Sequence, residues 1–217
     1  MINPPRRYSR PLRFRISTML FVTGLVATTA CATDPIGPES RLAPKTPSLS
    51  ILSNEDLVPN RDWSNPGSWS SSPLWSNMDE ATPNDDTDYI SRIRIGLPPT
   101  NSVAIVNLSD PVGTPSPSQV HTLKVRWKVI GNYSTTTPQP TLLSFRLLAG
   151  GGTGTIAASA AVPSSSYVTT SYTLIQSEVN SITNYNDLQL YLEAQLKPAT
   201  GSNQIEARVT WARLEIR

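Results

Sequence analysis

Five acids, Asp79, Glu80, Asp85, Asp86 and Asp88, follow three tryptophans, Trp63, Trp69 and Trp75, in a stretch dense in Ser, Pro and Asn. Clustered carboxylates among free carbonyls are the ligands that a hard cation such as Ca²⁺ takes, and calcium is the one cofactor these residues admit. The run Asn84-Asp85-Asp86-Thr87-Asp88 lacks the Gly and the distal Glu of an EF-hand loop. Its other reading is a solvated acidic turn whose side chains cap local N–H groups. The tryptophans admit two readings as well. Indole faces stack on sugar rings, which makes Trp63, Trp69 and Trp75 candidate ligand-binding residues. Equally, they anchor an irregular loop in the core, and burial is the commoner state of tryptophan.

Other chemistries find little support. His121 is the single histidine and Cys31 the single cysteine, so neither can join a second His or Cys around a metal or in a catalytic pair. No Gly-x-Ser-x-Gly accompanies His121. The glycines from Gly150 to Gly154 are not followed by the Lys-Ser/Thr of a phosphate loop and read as a hairpin tip. Two of the clustered acids would suffice for a glycosidase, but nothing separates such a pair from loop acids. No catalytic residue is identified. The formal charge of +2 comes from Arg6, Arg7, Arg10, Arg13 and Arg15. Without them, 13 basic residues stand against 16 acidic ones. A net-acidic domain lacks the basic stripe that nucleic-acid binding requires.

The elements that must position these residues are strands. In His121–Ile130, His121, Leu123, Val125, Trp127 and Val129 alternate with Thr122, Lys124, Arg126, Lys128 and Ile130, the pattern of a strand with one face in a core. Similar runs lie at Tyr89–Ile95, Val103–Leu108, Leu142–Leu148, Thr155–Val162, Tyr167–Ile175, Leu188–Gln195 and Ile205–Ile216. Thr155–Val162 and Tyr167–Ile175 read as a pair, and a short helical turn is expected at Gln176–Ile182, before Leu188–Gln195. A bulge near Ala212 is expected where the last strand changes phase. Eight to ten strands with short connections and no long helix predict an all-β, antiparallel jelly-roll β-sandwich.

The run LWSNMDEATPNDDTDYI, followed in order by YTLIQSEVNSITNYNDLQLYLEA and RVTWARLEI, resembles segments of jelly-roll domains in phage structural proteins and in uncharacterised bacterial secreted or surface proteins. The resemblance spans Trp63 to Ile216. It implies the fold and carries little about function. The phage members lack a signal peptide, so its presence here argues against a virion part.

That signal peptide is read from a basic Met1–Arg15, an apolar Ile16–Thr29 and small residues up to Cys31. The apolar run is too short and Thr-rich for a membrane span. Thr28-Thr29-Ala30-Cys31 resembles a lipobox, with Thr28 where Leu is commonest, and makes Cys31 a lipidation site. Ala30-Cys31-Ala32 also reads as an ordinary cleavage site. Residues 1–31 are therefore expected to be a signal peptide and 32–59 a Pro-rich tether, with a boundary near 48 equally defensible. Residues 60–217 are the expected jelly roll.

The expected protein is exported and held through Cys31 on the outer membrane or cell surface, or otherwise secreted. Its expected role is non-catalytic binding of a glycan or another surface polymer. The alternative is a structural component that self-associates in an envelope layer or appendage, with a polysaccharide-acting enzyme last.

Overall fold

The computed structural model describes residues 54–96, 100–136, 140–152 and 154–217. The expected signal peptide, Cys31 and the tether up to residue 53 lie outside the described residues.

Among the described residues, ten strands form two antiparallel sheets. They are β1 (Glu55–Leu57), β2 (Pro59–Ser64), β3 (Ile90–Ile95), β4 (Thr100–Leu108), β5 (His121–Gly131), β6 (Leu142–Ala149), β7 (Gly154–Ala161), β8 (Val168–Thr173), β9 (Gln189–Leu196) and β10 (Gln204–Ile216). A short helix, α1 (Gln176–Asn180), and a 3-10 turn at Tyr185–Asp187 sit between β8 and β9. The first sheet runs β1-β10-β5-β8, with β3 also on β10, and the second runs β2-β4-β9-β6-β7. The pairings β3 with β10, β4 with β9, β5 with β8 and β6 with β7 are nested. The chain is one long hairpin with its tip at β6–β7, wrapped so that alternate pairs fall in opposite sheets. This is the jelly-roll β-sandwich that the periodicity predicted.

The alternation in β5 points Leu123, Val125, Trp127 and Val129 inward, all essentially inaccessible. Phe145 and Leu147 of β6, Leu190 and Leu192 of β9 and Val106 of β4 meet them from the second sheet. Each such side chain contributes about 1.5–3 kcal/mol on burial. Trp127 keeps its one polar atom satisfied, since Nε1 donates to Thr170 Oγ1 at 3.1 Å.

Four expectations change. Glu55–Leu57, inside the expected tether, is strand β1 paired with the end of β10. Thr155–Val162 and Tyr167–Ile175 are not partners. β7 pairs with β6 and β8 with β5, so consecutive strands close opposite sheets on the same flank. The bulge in β10 falls at Thr210, between Val209 and Trp211, which moves Trp211 out of the inward phase. Finally, Trp63 is not in a loop: it is the extra residue of a bulge in β2.

The segment from 65 to 89 seals the edge of the first sheet, where β10 is flanked by β3 at one end and β1 at the other. Gly67 N–H donates to Val103 O at 2.8 Å, and a Cβ at Gly67 would strike the Val103 backbone. The Asp62 carboxylate accepts from the N–H groups of Leu74 and Trp75 at 2.9 and 3.0 Å. In the gap between β3 and β1, Ala212 N–H donates to Met78 O at 3.2 Å. Trp211, although outside the core, is covered by this segment and donates Nε1–H to Glu80 O at 2.8 Å.

Candidate functional site

The two outward sheet faces carry different chemistry, and each follows from strand alternation. On the first sheet β5 presents Lys124, Arg126 and Lys128, and β10 presents Glu206, Arg208, Arg213 and Glu215. Nearly every charge has a partner. Arg126 holds Asp85 through two bonds, at 2.6 and 2.8 Å. Asp86 accepts from Lys128 at 2.6 Å, Arg208 at 3.0 Å and the Tyr167 hydroxyl at 3.3 Å. Lys124 and Arg213 share Glu215, and Arg213 also reaches Asp56. The Arg126 hydrogen bonds hold the Asp85 carboxyl below its usual range, and Lys128 does the same for Asp86. Burial pushes the Tyr167 phenol up.

The acidic segment is thus divided by its partners. Asp85 and Asp86 clasp the cations of the first sheet, with Asp85 in a left-handed conformation that Asp tolerates. The Thr210 hydroxyl at the bulge donates to the Asp88 backbone carbonyl at 2.7 Å, with Asp85 O and Asn84 Oδ1 within 3.2 Å of it. Glu80 accepts from Asn84 Nδ2 at 3.2 Å, and burial raises its carboxyl above the usual value. Asp79 is half-buried. Among the described residues no three of His, Cys, Asp and Glu are grouped where they could hold a metal ion. The five acids are therefore not brought together as the ligand set that calcium would need.

The tryptophans are divided too. Trp69 is a core residue, its Nε1–H donating to Ser102 O at 3.3 Å and its N–H held by the Asn65 side chain. Trp75 is partly buried against the core. Trp63 is 50% exposed. The alternation that turns Asp62 toward Leu74 and Trp75 turns Trp63 outward, beside Ile105 at the margin of the second sheet.

His121 is a buried structural residue. Its Nδ1 lies 2.9 Å from Gln119 O, which can only accept, so Nδ1 carries the hydrogen and Nε2 accepts from the Tyr185 hydroxyl at 2.7 Å. Burial lowers its pKa.

The second sheet's outward face is open and mixed. Register places Ile105, Tyr191, Arg146 and Ala158 in one row across β4, β9, β6 and β7, and Val103, Glu193, Ser144 and Ala160 in the next. At the centre, the Arg146 guanidinium lies over the Tyr191 ring, 4.8 Å from its centroid. Glu193 ties the group together. It accepts from Asn101 Nδ2 at 2.7 Å, and from Arg146 Nη2 and the Tyr191 hydroxyl at 3.3 Å each. Burial, then the Glu193 charge, raises the Tyr191 phenol above its ordinary value.

Depressions flank this group on either side. Small side chains on β7 leave a trough of about 360 Å³ lined by Ser144, Arg146, Thr155, Ala158, Ser159 and Ala160. Toward β2, a cleft of about 270 Å³ is lined mainly by Asn60, Arg61, Asn107, Asp110, Asn186 and Asp187. With the Asn107 amide oxygen facing Arg61, it accepts from Nε and Nη2 at 2.8 and 2.9 Å, and its other end lies 2.9 Å from the Gln189 amide. From β2 to β7 the face spans four strand spacings, roughly 19 Å. An amphipathic ring, a guanidinium, a carboxylate and several amides along such a face offer stacking and directional hydrogen bonds to a polyhydroxylated chain.

Of these residues the sequence pattern placed Gln189, Tyr191 and Glu193 on the polar side of their strand. Asn107 and Arg146 are each one polar residue in an ordinary alternating strand, and Arg61 and Asn101 fall outside the strand runs legible in the sequence. Only the pairing order sets Arg146 and Asn101 on either side of Glu193.

No protein-family model matches the chain, and no curated protein matches it. Among solved structures, one described as a CBM4 covers 64% of this chain and 90% of its own, at 10% identity and a TM-score of 0.40. The enzymatically active domain of tailspike protein 4 from bacteriophage CBA120 covers 76% of this chain and 19% of its own, at 10% identity and 0.34. An alginate lyase of polysaccharide lyase family 7 covers 77% and 95%, at 12% identity and 0.31. At these values the similarities carry no argument about function. The chain's class is defined by its own strand order: an antiparallel jelly-roll β-sandwich.

Proposed function

We propose that this protein is an exported, non-catalytic β-sandwich, lipid-anchored through Cys31, that binds a glycan chain along the outward face of β2-β4-β9-β6-β7. The Tyr191–Arg146–Glu193–Asn101 group, held by hydrogen bonds in an open face between two depressions, carries this reading. Its parts are positioned before any ligand arrives, so binding costs little side-chain ordering. The opposite face supports no such reading, since its cations are already matched by Asp85, Asp86, Glu206 and Glu215. Trp63, exposed at the margin of the same face, extends the stacking surface.

The test is affinity electrophoresis of the full chain through gels containing cellulose derivatives, xylan, alginate or solubilised peptidoglycan, each with and without EDTA. Retardation by at least one polymer, lost in Tyr191→Ala and Arg146→Ala and kept in Lys124→Ala, supports the face named here. Retardation that survives both substitutions overturns it, as does free migration through every gel. Loss with EDTA would return calcium to the site. The anchor has its own readout: the mass of the mature protein from membranes, with a diacylglycerol on an N-terminal Cys31 expected and a free amine at Ala32 or Thr33 refuting it.

A further inference from the structure

The two flanks of the sandwich are finished differently. On one flank, β2 begins at Pro59, is bulged twice and carries Arg61 and Asp62. The first sheet on that side is closed by β1 with Asp56 and by the segment that bridges Ser70 to Ser91. Proline, bulges, charge and covering loops are the devices by which proteins keep an edge strand from pairing with another chain.

The opposite flank is finished more lightly. β7 has one bulge, at Ile156 near its start, and α1 also reaches it; beyond that bulge it carries no charge, and no proline comes before Pro163. From Leu147 to Ser177, 31 consecutive residues include no Asp, Glu, Lys, Arg or His. That run supplies both edge strands of this flank, β7 in the second sheet and β8 in the first. β7, with the sequence GTIAASAA, pairs only with β6. Among the described residues its backbone makes no hydrogen bond outside that ladder. Ala158 and Ala160 are exposed on its outward side, and Val162 just beyond is 77% exposed. Half the backbone groups of a strand with one neighbour point away from it, so β7 offers a row of free donors and acceptors with no bulky or charged side chain above it.

We infer that β7 is a self-association edge, on which β7 of a second copy adds antiparallel to make one continuous ten-stranded sheet. Charge selects the occupant. In an antiparallel pair about a two-fold axis the residue at the axis faces its own equivalent and the others face residues mirrored about it, so a charge at the axis meets a like charge directly opposite, which is destabilising. A charge-free strand meets no such penalty in any register, whereas Arg61 and Asp62 of β2 exclude the registers that set either one at the axis. Beyond the bulge at Ile156, the small side chains of Ala157–Ala161 also let the two strands approach closely. The geometry has a functional consequence that the pairing does not depend on. The outward faces of both second sheets would run together, which places two copies of the Tyr191–Arg146–Glu193 group on one surface and allows a long polymer to bind both.

The experiment is sedimentation velocity on the full chain carrying Cys31→Ser, which removes both acylation and an intermolecular disulfide, over a wide concentration range. A concentration-dependent dimer is expected. Ala158→Lys and Ala160→Lys, at exposed positions that leave the fold intact by circular dichroism, are each expected to weaken it by about tenfold or more. Asn60→Lys, on the protected flank, is expected to leave it unchanged. A chain that stays monomeric at all concentrations overturns the inference. So does a dimer indifferent to both β7 substitutions, or one abolished equally by Asn60→Lys. Polymer binding by a monomeric chain would leave the glycan reading standing while this one failed.

Discussion

Acidification should unfold this protein through one identifiable group. His121 is the single histidine of the chain, and it is 1% exposed. Its ring is held neutral, with Nδ1–H on Gln119 O and Nε2 accepting from Tyr185. Protonation would place a charge in the core mouth without a carboxylate to meet it, which is why burial depresses the folded pKa below the ordinary 6.5. Between 6.5 and the folded value, the unfolded chain binds a proton that the folded one does not. Stability is therefore full above pH 6.5 and falls as pH drops through that window, with a slope of at most one proton, about 1.4 kcal/mol per pH unit. The assay is urea unfolding followed by tryptophan fluorescence at half-unit steps from pH 7.5 to 5. His121→Gln should be less stable at pH 7.5 but lack the slope. Subtracting the two profiles removes the carboxylates common to both. Glu80, whose raised pKa gives the opposite sign, stabilising as pH falls, is among them. A difference between the two profiles that is flat across the window would refute the reasoning.

The tryptophans should separate by burial: Trp69→Ala is expected to cost about 3–5 kcal/mol in urea unfolding, whereas Trp63→Ala stays within about 0.5 kcal/mol and instead weakens polymer binding. Asp85→Ala breaks a two-pronged bond to Arg126, but both side chains are partly exposed. The expected loss is about 1 kcal/mol or less, present at neutral pH and vanishing as acid protonates Asp85 in the wild type, read by comparing unfolding midpoints at pH 7 and pH 3. Gly131→Ala should destabilise by more than about 1 kcal/mol, because its φ is +99° and a Cβ would strike Gln204 O. A thermal melt unchanged from wild type would contradict that reading.

The all-β sandwich was legible because strand alternation is a local signal. Leu123, Val125, Trp127 and Val129 must share one face whatever they meet. The same alternation put Tyr191 and Glu193 outside. The charged partners of β5 were equally visible as an outward row of Lys124, Arg126 and Lys128, yet nothing local said that Asp85 and Asp86 would neutralise two of them. That depends on a segment some forty residues upstream crossing the sheet. Composition alone linked Trp63, Trp69 and Trp75, which the fold separates. Asp62 and Asn65 pin the chain so that Trp69 enters the core and Trp63 stays on a bulge. Likewise β7 and β8 were legible as strands but not as edges. Whether a strand's second row of backbone groups finds a partner is decided by the order in which the long hairpin wraps. Sequence thus determined which side chains face in and which face out, since the pleat has a period of two. Tertiary structure decided which outward side chains become neighbours, because strands adjacent in a sheet are remote in the chain.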